Sequence, residues 1–125
     1  MKKKLTYFGN PVLRKRSEPI NTINEEIRQI AQDLIDTVKE LNGAGLAAPQ
    51  IGISLRIFVI CFENGADKEG MPIMTSEPQV FINPKLTISD SKIVSLNEGC
   101  LSIPDIREDV TRKSIITILQ FLIMK

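Results

Sequence analysis

A run of small and bend-forming residues, Asn42–Gly52, constrains the fold more than any other part of the sequence. Gly43 and Gly45 permit positive φ and let another group approach the main chain where a Cβ would block it. Pro49 fixes the bend before Gln50. The run therefore presents a neutral amide from a rigid loop, where it can bind a carbonyl or an oxyanion. A second interpretation stays open, in which a helix end runs into a turn and a strand and the glycines serve only packing.

The residues before this run predict an amphipathic helix from about Ile23 to Leu41. Apolar side chains recur along it at three- and four-residue spacing, which makes one apolar stripe. Thr22 with Glu25 fits a capping box at the start, and Asn42-Gly43 fits a stop at the end. We interpret this segment as a helix that packs on the core.

The residues after the run predict strands. Arg56–Phe62 is apolar on both faces and indicates a buried strand, with Cys61 as a small hydrophobic residue inside it. Residues 64–79 indicate a long surface loop. Further short strands are predicted at Val80–Ile82 (stopped by Asn83-Pro84), Lys85–Ile88, Ser91–Leu96 (after a turn at Ser89-Asp90) and Val110–Thr117. One helix followed by several strands predicts an α+β fold with largely antiparallel sheets.

Composition excludes several classes of function. A length of 125 residues fits one domain, and a net charge of +1 gives no electrostatic case for binding nucleic acid or a membrane surface. Two distant cysteines do not make a disulfide framework and fit a reducing cytosol. The basic start of the chain lacks the apolar segment of a signal peptide, so we expect a cytoplasmic protein.

The end of the sequence differs in character from the rest. Ile115–Met124 is β-prone, uncharged and free of proline, and it is too short to span a bilayer. Such a composition is typical of an aggregation-prone or partner-seeking edge.

A second short motif, Glu98-Gly99-Cys100-Leu101-Ser102, changes the interpretation. Together with the letters GAGLAAPQ of the first run, it resembles the first two signature motifs of the peptide deformylases. These are metal enzymes that remove the formyl group from the N-terminal methionine of new bacterial and organellar polypeptides. Gly9–Arg14 and Phe81–Pro84 are also similar to segments of that family, so the resemblance extends from about residue 5 to residue 113. It implies a peptide-deformylase-like α+β fold with one N-terminal helix and mostly antiparallel sheets.

The resemblance also implies roles for single residues. Cys100 would be a thiolate ligand of a divalent metal, iron or zinc. The Gln50 side chain and the backbone N–H of Leu101 would stabilise an oxyanion. Glu98 and Gly99 would be structural, with Glu98 bracing its loop through a salt bridge to Arg107 or Arg112. The residues that would bind an N-formyl-methionyl peptide substrate are Gly43, Gly45 and Leu46.

The third motif of the family, a His-Glu-x-x-His helix, has no counterpart here. The sequence contains no histidine and ends at Lys125. Cys100 is then one ligand of three, so we expect no metal in this chain alone and no independent activity. We expect one incomplete deformylase-like domain over residues 1–125, a truncated pseudoenzyme that lacks the C-terminal metal-binding helix. Whether this is a natural truncation or a frameshift product stays open.

Two other functions remain open from the sequence. One is a non-enzymatic peptide-binding or protein-interaction module. The other is one half of a split deformylase, in which a second polypeptide donates the missing helix. By the resemblance, absence of the metal-binding helix would leave the sheet around it exposed, and in either case a second copy or another chain would cover that sheet.

Overall fold

The computed structural model describes residues 1–61, 68–70, 77–89 and 91–120. This part of the chain has one α-helix and seven strands, and all of the strand ladders are antiparallel. The α+β class and the single N-terminal helix are therefore confirmed. The elements are α1 (Glu25–Glu40), β1 (Gly45–Ala47), β2 (Ile57–Ile60), β3 (Gln79–Ile82), β4 (Lys85–Ile88), β5 (Ile93–Cys100), β6 (Ile103–Lys113) and β7 (Ile116–Leu119).

The start of α1 is held by a different residue from the one predicted. The side-chain oxygen of Asn24 accepts a hydrogen bond from the N–H of Ile27 at 3.0 Å, which makes Asn24 the N-cap. The capping box assigned to Thr22 and Glu25 was wrong, because Glu25 is already the first helical residue. Asparagine is among the best N-cap residues, so this correction follows ordinary helix chemistry.

The end of α1 is confirmed near Asn42-Gly43, but the reason for the glycine differs. The left-handed residue is Asn42, at φ 51°, and neither Gly43 nor Gly45 has positive φ. The N–H of Gly43 donates to the carbonyl of Val38 at 2.9 Å. A Cβ at position 43 would lie 2.9 Å from a methyl carbon of Leu101. Gly43 is thus needed for close approach rather than for a positive φ.

The core lies between α1 and one face of the sheet β1-β2-β3. Along β2, Ile57 and Val59 are buried while Phe58 and Ile60 are only half-buried, so the expectation of a strand buried on both faces was wrong. Cys61 is buried one residue beyond β2, and desolvation raises the pKa of its thiol. Its surroundings are those of a small hydrophobic residue. The buried apolar residues are Ile20, Ile27, Ile30, Ala31, Leu34, Val38, Leu46, Ala48, Ile57, Val59, Cys61 and Ile82.

The predicted stop at Asn83-Pro84 is confirmed. Strand β3 ends at Ile82, and Asn83 adopts a positive φ of 49°. Its side chain accepts from the N–H of Ile20 at 2.8 Å and donates to the carbonyl of the same residue at 2.6 Å. The end of β3 is thereby fixed to the N-terminal arm, residues 1–20, which is irregular apart from the short 3₁₀ helix Pro11–Leu13.

The remaining strands form two two-stranded ribbons, whose pairing the sequence did not predict. Strand β4 pairs with β7 and not with β5, which pairs with β6. The single strand predicted at Val110–Thr117 is divided between β6 and β7. Such long-range pairing depends on residues far apart in sequence, which local alternation does not reveal. Strands β4 and β5 are largely exposed.

Parts of the prediction lie outside the described residues. Asp90 of the predicted turn, most of the predicted surface loop at 64–79, and residues 121–125 of the apolar tail are among them. The tail does contain β7, which pairs with β4 through Ile116 and Ile88. Among the described residues, no helix combines the length and apolar character that crossing a membrane requires.

Candidate functional site

The two motifs singled out in the sequence meet in the structure. Gln50 lies on a short 3₁₀ helix, Ala48–Ile51, that follows β1. Its side-chain nitrogen Nε2 lies 3.5 Å from the sulfur of Cys100 and 3.2 Å from the hydroxyl oxygen of Ser102. Residues fifty positions apart in the chain are therefore in contact. A neutral amide donor beside a thiol is the centre of the candidate site.

The orientation of the Gln50 amide is set by the backbone. The N–H of Ala47 donates to Oε1 of Gln50 at 2.9 Å. Because a backbone N–H can only donate, the oxygen must face Ala47 and the NH₂ group must face the second motif. The N-terminal arm holds the same turn from outside, since Thr6 donates its N–H to the Gln50 carbonyl (2.7 Å) and its hydroxyl to the Pro49 carbonyl (2.8 Å).

Cys100 is placed by an irregularity at the end of β5. Gly99 is opposite Arg107, whereas Cys100 is opposite Ile103, so the register shifts between the two residues. The chain then turns back toward the core. A Cβ at Gly99 would lie 2.9 Å from a guanidinium nitrogen of the exposed Arg107 side chain, which would have to shift to accommodate it. The thiol of Cys100 is exposed.

The two residues after Cys100 tie this turn to the core. Leu101 packs against the core and lies close to Gly43. Ser102 is only 3% exposed, and its carbonyl accepts from the N–H of Phe8 at 2.9 Å. Sequence reasoning assigned no role to Ser102 or to the Phe8 backbone. The only local signal was a hydroxyl residue within an otherwise apolar turn.

Glu98 forms an ion pair with Arg112, one of its two candidate partners. The Arg112 Nε and terminal nitrogen donate to the two Glu98 oxygens, each at 2.8 Å, and the hydrogen bond from Arg112 lowers the pKa of Glu98. Arg107 donates instead to the side-chain and backbone oxygens of Asn97, at 2.8 and 2.9 Å. The pair is largely exposed, so we expect it to orient the ribbon more than to stabilise the fold.

Beside Gln50, β1 offers an open sheet edge. The N–H of Cys61 donates to the carbonyl of Ala44 at 2.8 Å. Since hydrogen-bonded and non-hydrogen-bonded pairs alternate in an antiparallel ladder, the N–H and C=O of Gly45 and Ala47 point away from β2. The Ala47 N–H is already bonded to Oε1 of Gln50, so the groups left open are those of Gly45 and the C=O of Ala47. No strand among the described residues pairs with this side of β1, and the Leu46 side chain points into the core. An extended peptide could add there.

The described residues do not fit a metal site. Within them, no three or more His, Cys, Asp or Glu side chains are grouped so that they could hold a metal ion. Cys100 supplies a single exposed sulfur, and Cys61 lies in the apolar core. One thiolate does not make a specific site for iron or zinc.

Comparison with protein families gives a match over almost the whole chain. The family model described as polypeptide deformylase matches residues 2–122. The peptide deformylase of Pseudothermotoga lettingae is 40% identical over 118 residues, which cover 94% of this chain and 61% of that protein. The peptide deformylase of Rhizobium meliloti is 41% identical over 116 residues, covering 93% and 63%. The chain thus spans about three-fifths of the length of these curated relatives.

Solved structures of peptide deformylases share the fold. The enzyme from Thermotoga maritima matches with a TM-score of 0.79 and 33% identity, over 94% of this chain and 72% of that one. The one from Ehrlichia chaffeensis matches with a TM-score of 0.83 and 28% identity, over 96% and 68%. A class I type b peptide deformylase from Acinetobacter baumannii, solved with Met-Ala-Ser bound, has a TM-score of 0.79 and 25% identity, over 96% and 84%.

Proposed function

The chain belongs to the polypeptide deformylase family, and on that premise we propose that residues 1–125 form the substrate-binding and oxyanion-stabilising part of a deformylase site. The family reaction implied by the motifs is metal-dependent hydrolysis of the N-formyl group of formyl-methionine on nascent polypeptides, a cytoplasmic step of protein biosynthesis. The observation that carries the proposal is the contact between Nε2 of Gln50 and the sulfur of Cys100.

An N-formyl-methionyl peptide would bind along the open edge of β1. The backbone N–H and C=O of Gly45 face that edge and can pair with an extended peptide. Gly43 lets Leu101 pack tightly beneath the start of the strand. The Met-Ala-Ser bound to the Acinetobacter baumannii enzyme is a short peptide that begins with methionine, which supports this class of ligand.

Two donors would stabilise the oxyanion that forms when the formyl carbon is attacked. The first is Nε2 of Gln50, already aimed at the second motif, and the second is the backbone N–H of Leu101. A neutral amide suits this role because it donates a hydrogen bond without a proton transfer. Cys100 would contribute one thiolate to the metal, which in this family would supply an activated water.

We further propose that residues 1–125 do not hydrolyse formyl peptides by themselves. They contain no histidine, and the described residues hold no group of metal-binding side chains. Histidine ligands and a proton-transferring glutamate must then come from a His-Glu-x-x-His helix outside these residues.

A complementation experiment tests this division of labour. Residues 1–125 are mixed with iron(II) or zinc(II) and a second polypeptide, the His-Glu-x-x-His segment of the Thermotoga maritima enzyme, and formate release from formyl-Met-Ala-Ser is followed. We expect release only in the mixture, and loss of release with Gln50→Leu or Cys100→Ser. The control is a donor segment with both histidines replaced by alanine. Formate release by residues 1–125 alone, or none in the mixture, would contradict the proposal.

A non-enzymatic interaction module is the second candidate, favoured by the exposed ribbons. Most apolar side chains on β4 to β7 are more than a third exposed, which is unusual for paired strands unless another chain covers them. Those at least half exposed are Leu86, Ile88, Ile93, Ile106, Ile116 and Leu119. Light scattering during size-exclusion chromatography distinguishes a second copy, which gives a dimer, from a different partner, which leaves a monomer. A cooperative melt of that species would favour an evolved binding protein over a loosely folded remnant.

A further inference from the structure

Ser102 is a buried hydroxyl residue directly beside the amide of Gln50. It is 3% exposed, although it follows the exposed Cys100 by only two positions. Its Oγ accepts a hydrogen bond from Nε2 of Gln50 at 3.2 Å. A polar side chain that is buried without a hydrogen bond lowers stability. The hydrogen bond to Gln50 therefore offsets the cost of burying this hydroxyl.

Three contacts engage both the oxygen and the nitrogen of the Gln50 side-chain amide. Oε1 accepts from the N–H of Ala47, and the NH₂ group reaches both Ser102 Oγ and Cys100 Sγ. The NH₂ group has two hydrogens, which point in directions fixed by the planar amide. When one hydrogen is directed at Ser102, the other is directed toward the sulfur.

We propose that Ser102 is a positioning residue that locks the rotation of the Gln50 amide. Its hydroxyl accepts one Nε2 hydrogen, and the second hydrogen is thereby held beside Cys100, where an oxyanion would form. The role of this lock in catalysis rests on the proposed deformylase function. The lock itself is a property of the folded chain and needs neither metal nor substrate.

The place of Ser102 in the fold does not depend on its hydroxyl. The Phe8 N–H holds the Ser102 carbonyl at 2.9 Å, and the packing of Leu101 fixes the preceding residue. Removal of the hydroxyl should therefore leave the amide held through Oε1 by the Ala47 N–H alone, while the turn stays in place. This separates positioning from a purely structural role.

The chain provides a matched control in Ser54. The Ser54 hydroxyl oxygen is buried and has no hydrogen-bond partner among the described residues. Ser54→Ala and Ser102→Ala remove the same group from a buried position, but only Ser102→Ala removes a partner of Gln50.

The test follows the Nε2 hydrogens of Gln50 by ¹H–¹⁵N NMR of the metal-free chain. Their signals are assigned by disappearance in Gln50→Glu, and their exchange with solvent is compared with that of Gln79, which is exposed. We expect slower exchange at Gln50 than at Gln79 in the unmodified chain. Ser102→Ala should speed the Gln50 exchange about fivefold, the factor that corresponds to one hydrogen bond of typical net strength.

Each outcome decides the proposal. Faster Gln50 exchange in Ser102→Ala with no change in Ser54→Ala supports it, and unchanged exchange in both variants overturns it. An equal increase in both variants also overturns it, since the effect would then follow from loss of any buried hydroxyl. If Ser102→Ala does not fold, Ser102→Cys is measured in its place and read in the same way, because a thiol fills the space of the hydroxyl but is only a weak hydrogen-bond acceptor. Exchange at Gln50 as fast as at Gln79 in the unmodified chain also overturns the lock. A failed complementation experiment would remove the deformylase function and leave this result standing.

Discussion

The two cysteines occupy opposite environments, and this difference has measurable consequences. Cys61 is 3% exposed within the apolar core, where desolvation raises the pKa of its thiol. Cys100 is exposed at the end of β5 and contacts the Gln50 amide. The first is a packing residue, and the second is available for chemistry.

Serine substitutions should therefore give different results at the two positions. Cys61→Ser puts a hydroxyl into the core and should lower the free energy of unfolding by about 1–3 kcal/mol. Cys100→Ser should change it by less than about 0.5 kcal/mol in metal-free protein, as expected for an exposed residue. Urea denaturation of both variants measures this. A larger loss for Cys100→Ser would contradict these assignments and would indicate a bound metal or a tightly packed thiol.

For single residues, the sequence predicted that Gln50 and Cys100 lie in one site, but it did not predict the contacts that fix their side chains. The resemblance placed Gln50 and Cys100 in one site, and the structure brings them to 3.5 Å. It gave no indication of Ser102, because the contact between its hydroxyl and Gln50 exists only when two loops are folded together. The sequence likewise gave no indication of Thr6, a residue of the N-terminal arm that donates its N–H to the Gln50 carbonyl.

Among the elements, α1 depends on its first and last turns. Asn24→Ala removes the side chain that caps the helix and should cost about 1 kcal/mol of stability. Thr22→Ala is the matched control, since the predicted capping box does not form, and should stay within about 0.5 kcal/mol. Thermal unfolding followed by circular dichroism measures both. Equal losses would mean that Thr22 also contributes to the start of the helix.

Ion pairs join the N-terminal arm to α1. They link an ammonium, which loses its charge at high pH, to carboxylates, which lose theirs at low pH. The N-terminal ammonium of Met1 pairs with Asp33 and Asp36, and Lys3 lies 3.8 Å from Asp33. Hydrogen bonds to Asp36 and Asp33 raise the pKa of the ammonium above its ordinary 8.0. Burial alone would raise the pKa of Asp33, but hydrogen bonds from the ammonium and Gln29 outweigh it and hold that pKa below 3.8.

The direction of each pKa shift gives the pH range in which the ion pair between Asp33 and the Met1 ammonium stabilises the fold. A carboxyl with a lowered pKa stabilises the folded state above pH 3.8, and this is lost as the pH falls through its folded pKa. An ammonium with a raised pKa stabilises below pH 8.0, and this is lost as the pH rises through its folded pKa. The melting temperatures of the unmodified chain and Asp33→Asn should therefore differ most between these limits and converge beyond both. A difference that is constant from pH 3 to pH 10 would show that the ion pair does not contribute.

For the strands, the sequence predicted positions better than pairing. The positions of β4 and of the stop after β3 were predicted, because alternation and the Asn-Pro pair are local signals. The pairing of β4 with β7 was not, because register across some thirty residues is set by contacts that only the folded chain makes. The single predicted strand at Val110–Thr117 failed because continuous β-prone letters conceal a break at Ser114-Ile115.

In the molecule as a whole, one well-packed half is joined to two ribbons with little packing. The helix and the three-stranded sheet enclose the apolar core, whereas the ribbons β4–β7 and β5–β6 make most of their contacts within themselves. A two-stranded ribbon is marginal in water without a partner surface. The candidate site lies at the junction, since Gln50 belongs to the packed half and Cys100 to a ribbon. A segment that covers the β5–β6 ribbon would therefore also lie next to Cys100.

The metal content of the purified chain tests the central claim most directly. Residues 1–125 would be prepared anaerobically without a histidine tag, and iron and zinc would be measured per mole of protein. Since these residues contain no histidine and Cys100 is a single donor, the predicted ratio is near zero in both the unmodified chain and Cys100→Ser. A ratio near one that is lost in Cys100→Ser would contradict the account, because residues 1–125 would then complete a metal site without a donated helix.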